Sequence, residues 1–164
     1  YSLLTEGQVI YRGKTIGKEQ DFIDDAGIVI EEPEFINSLS GLENLKILAE
    51  IQKKISEAEI IEVLKQFDLY EDRNKKVGKY SVGMKQKLRL AQAVMEKPQV
   101  LILDEPMNGL DKKSVKKVED ILKAFVENGG TLLMTSHIEQ QVEACCKIVY
   151  EIDGGEILRM TVLQ

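Results

Sequence analysis

Val100-Leu101-Ile102-Leu103 is an unbroken apolar run that stops at Asp104-Glu105-Pro106 and then meets a turn at Asn108-Gly109. No other stretch limits the fold as much. A short apolar run between turn signals suits a strand buried on both faces, as in a parallel sheet covered by helices. Side chains alternate along an extended chain, so Asp104 and Glu105 are placed to serve different partners. Both acids fall where the strand emerges at its carboxyl end, and open α/β sheets bind ligands at those ends.

The pattern recurs along the chain. Gly27-Ile28-Val29-Ile30 is a second apolar run; it ends in Glu31 and Glu32, and Pro33 stops the strand. Thr131 to Thr135 is a third and leads into Ser136-His137, while Lys147 to Ile152 is a fourth. Asp153-Gly154-Gly155 turns into a last strand, Glu156 to Met160. Ahead of them all, Gln8 to Ile16 reads as a β-hairpin turning at Gly13, followed by a polar connector from Lys18 to Asp24.

Helical signals fill the middle. Ser40-Gly41-Leu42-Glu43 and Ser56-Glu57-Ala58-Glu59 both have capping-box spacing, and apolar residues follow at helical intervals. Asp72-Arg73-Asn74-Lys75-Lys76 is a charge cluster expected on a solvated surface. Ser81 and Gly83 stand at the mouth of a helix that Pro98 ends. Asp111 is placed to cap another helix, which runs to Glu127 and closes at Asn128-Gly129-Gly130, and Ile138 to Cys145 is helical. Buried strands alternating with helices predict an α/β fold with a parallel sheet and right-handed crossovers. Residues 1–37 and 98–164 are expected to form the core, and 38–97 an inserted helical subdomain.

Composition narrows the partners. A chain of 164 residues that is 43% hydrophobic is long enough for one domain with a core. A net charge of −6 argues against nucleic acid, because no basic excess neutralises phosphates, but it admits a small anion held by backbone donors. No apolar run nears the roughly 20 residues that span a bilayer. Cys145 and Cys146 are neighbours, with Cα atoms about 3.8 Å apart, too close for the usual disulfide; both are expected to be reduced, which fits the cytosol.

Three strands thus end in groups suited to catalysis: Glu31, Asp104 with Glu105, and His137, the one histidine of the chain. The helix opened by Ser81 and Gly83 adds unpaired N–H donors and a partial positive charge, a ready anion site.

Together these four features resemble the nucleotide-binding domain of ABC transporters, over nearly the whole chain. Val100 to Glu105 resembles the Walker B strand. The resemblance implies ATP and Mg²⁺ as ligands, with Asp104 holding Mg²⁺ through water and Glu105 as the general base that polarises the attacking water. Such bases contribute roughly 10²–10⁴-fold. Asn108 to Asp111 resembles the D-loop, which crosses a dimer interface, and His137 resembles the switch histidine that contacts the γ-phosphate. Tyr80-Ser81-Val82-Gly83-Met84 resembles the signature motif, which caps the γ-phosphate bound by the other subunit. A dimer is therefore implied.

The departures are informative. The common signature is Leu-Ser-Gly-Gly-Gln; Val82 and Met84, followed by Lys85-Gln86, are similar to the form in bacitracin and lantibiotic exporters. Glu31 stands where the Q-loop glutamine is usual, as in the same subgroup, and a carboxylate still binds a metal water. Met107 stands where Thr is common. No Gly-x-x-x-x-Gly-Lys-Ser/Thr occurs, so the P-loop cradle for the β- and γ-phosphates is not in this sequence. With no initiator Met, the chain is expected to begin just downstream of the P-loop helix. The fold expected is a P-loop NTPase-like sheet lacking its P-loop strand. That strand would lie between Thr131–Thr135 and Lys147–Ile152, so two inner edges would be bare. Lys147–Ile152 is expected to shift and pair with Thr131–Thr135, or another chain to fill the gap.

The resemblance implies a fragment of the ATP-hydrolysing subunit of a peptide antibiotic or drug exporter. The parent would be cytoplasmic, peripheral on the inner face of the membrane, and docked to permease subunits through the region from Glu31 to about Glu50. Phe35, Ile36 and Leu39 there are expected to be subdomain core rather than interface. The isolated chain is expected to bind ATP poorly and not to hydrolyse it. The alternatives are a non-transport ABC ATPase of translation or DNA repair, and a non-catalytic interaction module. Against the former, the chain shows neither a coiled-coil insertion nor paired domains.

Overall fold

A computed structural model of the chain describes residues 6–30 and 35–163. Glu31 lies outside the described residues. A small hairpin comes first, β1 (Ile10–Tyr11) with β2 (Lys14–Thr15), turning at Arg12-Gly13. The strand β3 (Ala26–Val29) follows, then three helices, α1 (Gly41–Gln52), α2 (Glu57–Gln66) and α3 (Val82–Val94). The chain returns to the sheet as β4 (Val100–Asp104), crosses through α4 (Lys112–Glu127) to β5 (Thr131–Thr135), and continues through α5 (Glu139–Cys145). It ends in a hairpin, β6 (Ile148–Asp153) with β7 (Glu156–Val162).

The helices start where short polar side chains can take up their free N–H groups. Ser40 accepts from Glu43 N at 3.2 Å, and the Glu43 carboxylate accepts Ser40 N at 2.7 Å. Ser56 and Glu59 repeat this box at α2. Ser40 is buried, and a cap of this kind typically contributes about 1 kcal/mol. Ser81 caps α3 and Asp111 caps α4.

The sheet is parallel in the order β3-β4-β5, with β4 in the centre. Its buried face carries Val29, Leu101 and Leu103, which join Leu45, Leu64, Leu88, Val118 and Leu122 of the helices in one apolar cluster. Gly27 lets α3 cross β3 closely: a Cβ there would come within 2.0 Å of the Ala93 carbonyl oxygen. The other face differs from expectation. Ile28, Ile102 and Leu133 lie in one row across the three strands, yet Ile28 is 46% and Leu133 62% exposed. An apolar run reports residue type on both faces, whereas the described helices cover only one.

The expected pairing of Lys147–Ile152 with Thr131–Thr135 does not occur. Among the described residues β4 is the one strand paired with β5, and β6 lies in a separate two-stranded sheet with β7. The local hairpin pairs one edge of β6: Asp153 pairs with Glu156 around Gly154-Gly155, both at positive φ, which suits a tight two-residue turn. Of the segment expected near a partner, Phe35 packs on the core cluster, but Ile36 is half exposed.

A groove of about 830 Å³ runs between α2, the end of α3 and α4. It borders Gln99 and Gly130, which precede β4 and β5, so it lies at the opposite end of the strands from Asp104 and holds none of the expected site residues. Among the described residues no helix is long and apolar enough to cross a membrane.

Candidate functional site

Asp104 and Thr135 end neighbouring strands and face each other as register partners. The Thr135 hydroxyl donates to Asp104 Oδ1, and its own oxygen, Thr135 Oγ1, accepts Glu105 N–H at 3.1 Å. At Glu105 the chain leaves the sheet through a left-handed conformation, φ 46°. For a residue with a Cβ this costs roughly 1–2 kcal/mol. Strand alternation therefore stops at Asp104, and it is this turn, rather than the pleat, that gives the two acids different partners.

Glu105 reaches across to the loop after β5. Its Oε1 accepts His137 N–H at 3.1 Å and lies 2.9 Å from His137 Nδ1. A carboxylate can only accept, so Nδ1 is assigned the proton and Nε2 is the free ring nitrogen. The histidine side chain is 67% exposed and that of Glu105 is 30%. Ser136 steadies the loop by donating to Gln141 Oε1 at 2.9 Å and accepting Ile138 N–H at 3.1 Å.

The stretch from Ser81 to Met84 rests on the turn after β4. A Cβ on Gly83 would sit 3.1 Å from the Gly109 carbonyl oxygen, and one on Gly109 would sit 2.9 Å from Val82 Cγ1. Gly109 also needs its positive φ of 73°. The Ser81 hydroxyl accepts Met84 N–H at 3.2 Å, so it is engaged within its own helix. Asp111 Oδ1 accepts Lys113 and Ser114 N–H at 3.0 Å each, and Oδ2 accepts the Ser114 hydroxyl at 2.8 Å. The bonds from Ser114 hold the Asp111 carboxyl below its usual range. As placed here, Ser81 and Asp111 act as helix caps.

The structure thus brings Asp104, Glu105 and His137 together, and joins Gly83 to the Asn108–Asp111 turn. Two residues that the sequence reading missed connect these parts. Thr135 bridges the acids, and its position two residues before His137 at a strand end was the available signal. Gln86 is buried at 5% exposure and donates to the Pro106 carbonyl at 2.8 Å, tying α3 to the residue after Glu105. Nothing in a neutral glutamine at helical spacing marks it as buried.

Among the described residues no three His, Cys, Asp or Glu side chains cluster to hold a metal. Asp104 is exposed and has one oxygen engaged by Thr135, which leaves Oδ2 open. Mg²⁺ commonly takes one or two carboxylates along with waters and substrate phosphates. The donor set fits an ion that arrives with its substrate rather than a closed protein cage.

The chain is similar in sequence and in fold to known proteins. A sequence model of the ABC transporter family matches residues 2–108. The ABC transporter ATP-binding protein YybJ of Bacillus subtilis (strain 168) is 37% identical over 153 residues, 93% of this chain and 70% of that protein. The bacitracin transport ATP-binding protein BcrA of Enterococcus faecalis is 36% identical over 80% of this chain and 43% of its own length. The lantibiotic transport ATP-binding protein SrtF of Streptococcus pyogenes is 32% identical over 94% and 66%. The chain spans about half the length of several of the relatives that it matches, BcrA among them. Among solved structures, the dimeric ATP-binding cassette MJ0796 in a post-hydrolysis state with ADP and Pi superposes with a TM-score of 0.84 at 23% identity. That match covers 98% of this chain and 75% of the cassette.

Proposed function

The chain belongs to the ABC transporter family, and from that premise we propose that the carboxyl edge of β4 and β5 is the hydrolytic half of an ATP site. The observation that carries the proposal is the Glu105–His137 pair. One oxygen of Glu105 is fixed by two donors of His137. The other is left to accept a proton from an attacking water, the role of a general base. Asp104 Oδ2 would hold Mg²⁺, which when bound neutralises charge on the phosphoryl group in transfer. With its Nδ1 proton held by Glu105, His137 donates to a phosphate oxygen through Nε2 only as the imidazolium. Phosphate contact and proton state are thereby linked in one side chain.

Ser81, Val82, Gly83 and Met84 would meet the γ-phosphate of a second ATP-binding subunit, and Asp111 would lie at that dimer contact. Glu31 would hold a metal-bound water. The relatives named for bacitracin and lantibiotic transport support a role in powering a peptide antibiotic or drug exporter. Such a subunit would sit on the inner membrane face against permease subunits. Division of the chain into a core (1–37 and 98–164) and a helical signature subdomain (38–97) fits that role.

The sequence contains no P-loop motif, so the 164-residue chain alone has no cradle for the β- and γ-phosphates. The test is phosphate release from MgATP by the purified chain, beside Glu105→Gln. Both are expected at background. Turnover by the chain that Glu105→Gln abolishes would contradict its inactivity.

A further inference from the structure

We propose that Thr135 is a positioning residue whose hydroxyl locks the Asp104–Glu105 step and thereby selects the tautomer of His137. The bond directions are not interchangeable. Asp104 can only accept, so the Thr135 proton must point to it; Glu105 N–H can only donate, so it must use the Thr135 lone pair. One hydroxyl therefore ties the last residue of β4 to the first residue beyond it. It does so where the backbone turns left-handed, φ 46°, an uncommon conformation for a residue with a Cβ.

The consequence reaches His137 through a closed circuit. Thr135 holds Glu105 N, Glu105 Oε1 holds His137 N and Nδ1, and His137 is joined back to Thr135 by two peptide bonds. Without the hydroxyl, Glu105 N–H and Asp104 Oδ1 both lose a partner. The turn that aims the Glu105 carboxylate at His137 then loses its support. The ring is freed to take the Nε2–H form that an unconstrained imidazole prefers. The same hydroxyl leaves Asp104 with only Oδ2 open, so it also sets which oxygen faces a ligand.

This inference rests on the hydrolytic reading for its meaning in catalysis, but its test does not. His137 is the one histidine, so a histidine-¹⁵N-labelled chain gives a single imidazole to read by NMR. The neutral ring is expected to be Nδ1–H in the wild type and in Thr135→Ser, which keeps the hydroxyl. Thr135→Val, of similar shape, is expected to lose that tautomer in favour of Nε2–H. Should Thr135→Val fail to fold, as judged by the backbone amide spectrum, Thr135→Ala is read in its place with the same expectation. The proposal is overturned by a wild-type ring that is not Nδ1–H, by Nδ1–H surviving in the variant without a hydroxyl, or by Thr135→Ser losing it too. A chain supplied with a P-loop that hydrolyses MgATP equally well with and without the Glu105 carboxylate would remove the hydrolytic reading and leave these outcomes unchanged.

Discussion

Glu105 holds its carboxylate against His137 from a backbone conformation that only glycine takes without cost. Strain of this kind clusters at functional sites, where the surroundings enforce it. The strain and the chemistry can be separated by two substitutions. Glu105→Gln removes the charge and keeps the Cβ; Glu105→Gly removes both. Urea denaturation is expected to show Glu105→Gly more stable than Glu105→Gln by about 1 kcal/mol. Equal stability would mean the left-handed turn carries no strain. At this scale the sequence was a partial guide. Two adjacent acids after an apolar run, and a lone histidine after another, stand out from their neighbours. Thr135 does not, because a threonine ending a strand satisfies β-propensity on its own. Its role exists only once register sets it opposite Asp104.

Elements were legible where a local rule decides them. The boxes at Ser40 and Ser56 and the cap at Asp111 need only residues two or three apart, and all three form. Strand pairing is non-local, and there the reading failed for β6, whose ladder closes on β7 through a tight glycine turn. One contact between elements makes a pH prediction. Lys97, just after α3, bonds Glu59 of α2 at 2.5 Å, and Ser56 N–H adds a second bond. The hydrogen bond from Lys97, then that from Ser56, pulls the Glu59 carboxyl down to about 2. An unfolded glutamate titrates near about 4.3. A folded value below the unfolded one means the contribution is full above about pH 4.3 and is lost as pH falls towards about 2. Thermal melts should therefore show a steeper fall in Tm between these limits for the wild type than for Glu59→Gln. Parallel profiles would show that the pair contributes nothing.

Across the whole molecule, the buried side and the exposed side obey different constraints. Helices α1 to α4 and one sheet face share a single apolar cluster, while Ile28, Ile102 and Leu133 line the other face. The β6–β7 hairpin adds Ile148, Tyr150, Ile152, Met160 and Val162, all more than half exposed. Periodicity counts apolar residues and is blind to whether neighbours cover them, which is why the buried strands were expected on both sides. The fold class survived that error because alternation of strands and helices alone sets it. Asp104, Glu105 and His137 still meet at one edge, because each stands at or just beyond the end of a strand of one parallel sheet. The central claim is that this edge is competent and waits only for a phosphate cradle. It is tested by fusing the P-loop segment of the lantibiotic transport relative ahead of Tyr1 and measuring MgATP hydrolysis. The account predicts turnover that Glu105→Gln lowers by roughly 10²-fold or more. A fusion that binds MgATP and hydrolyses it equally well with and without the Glu105 carboxylate would contradict it.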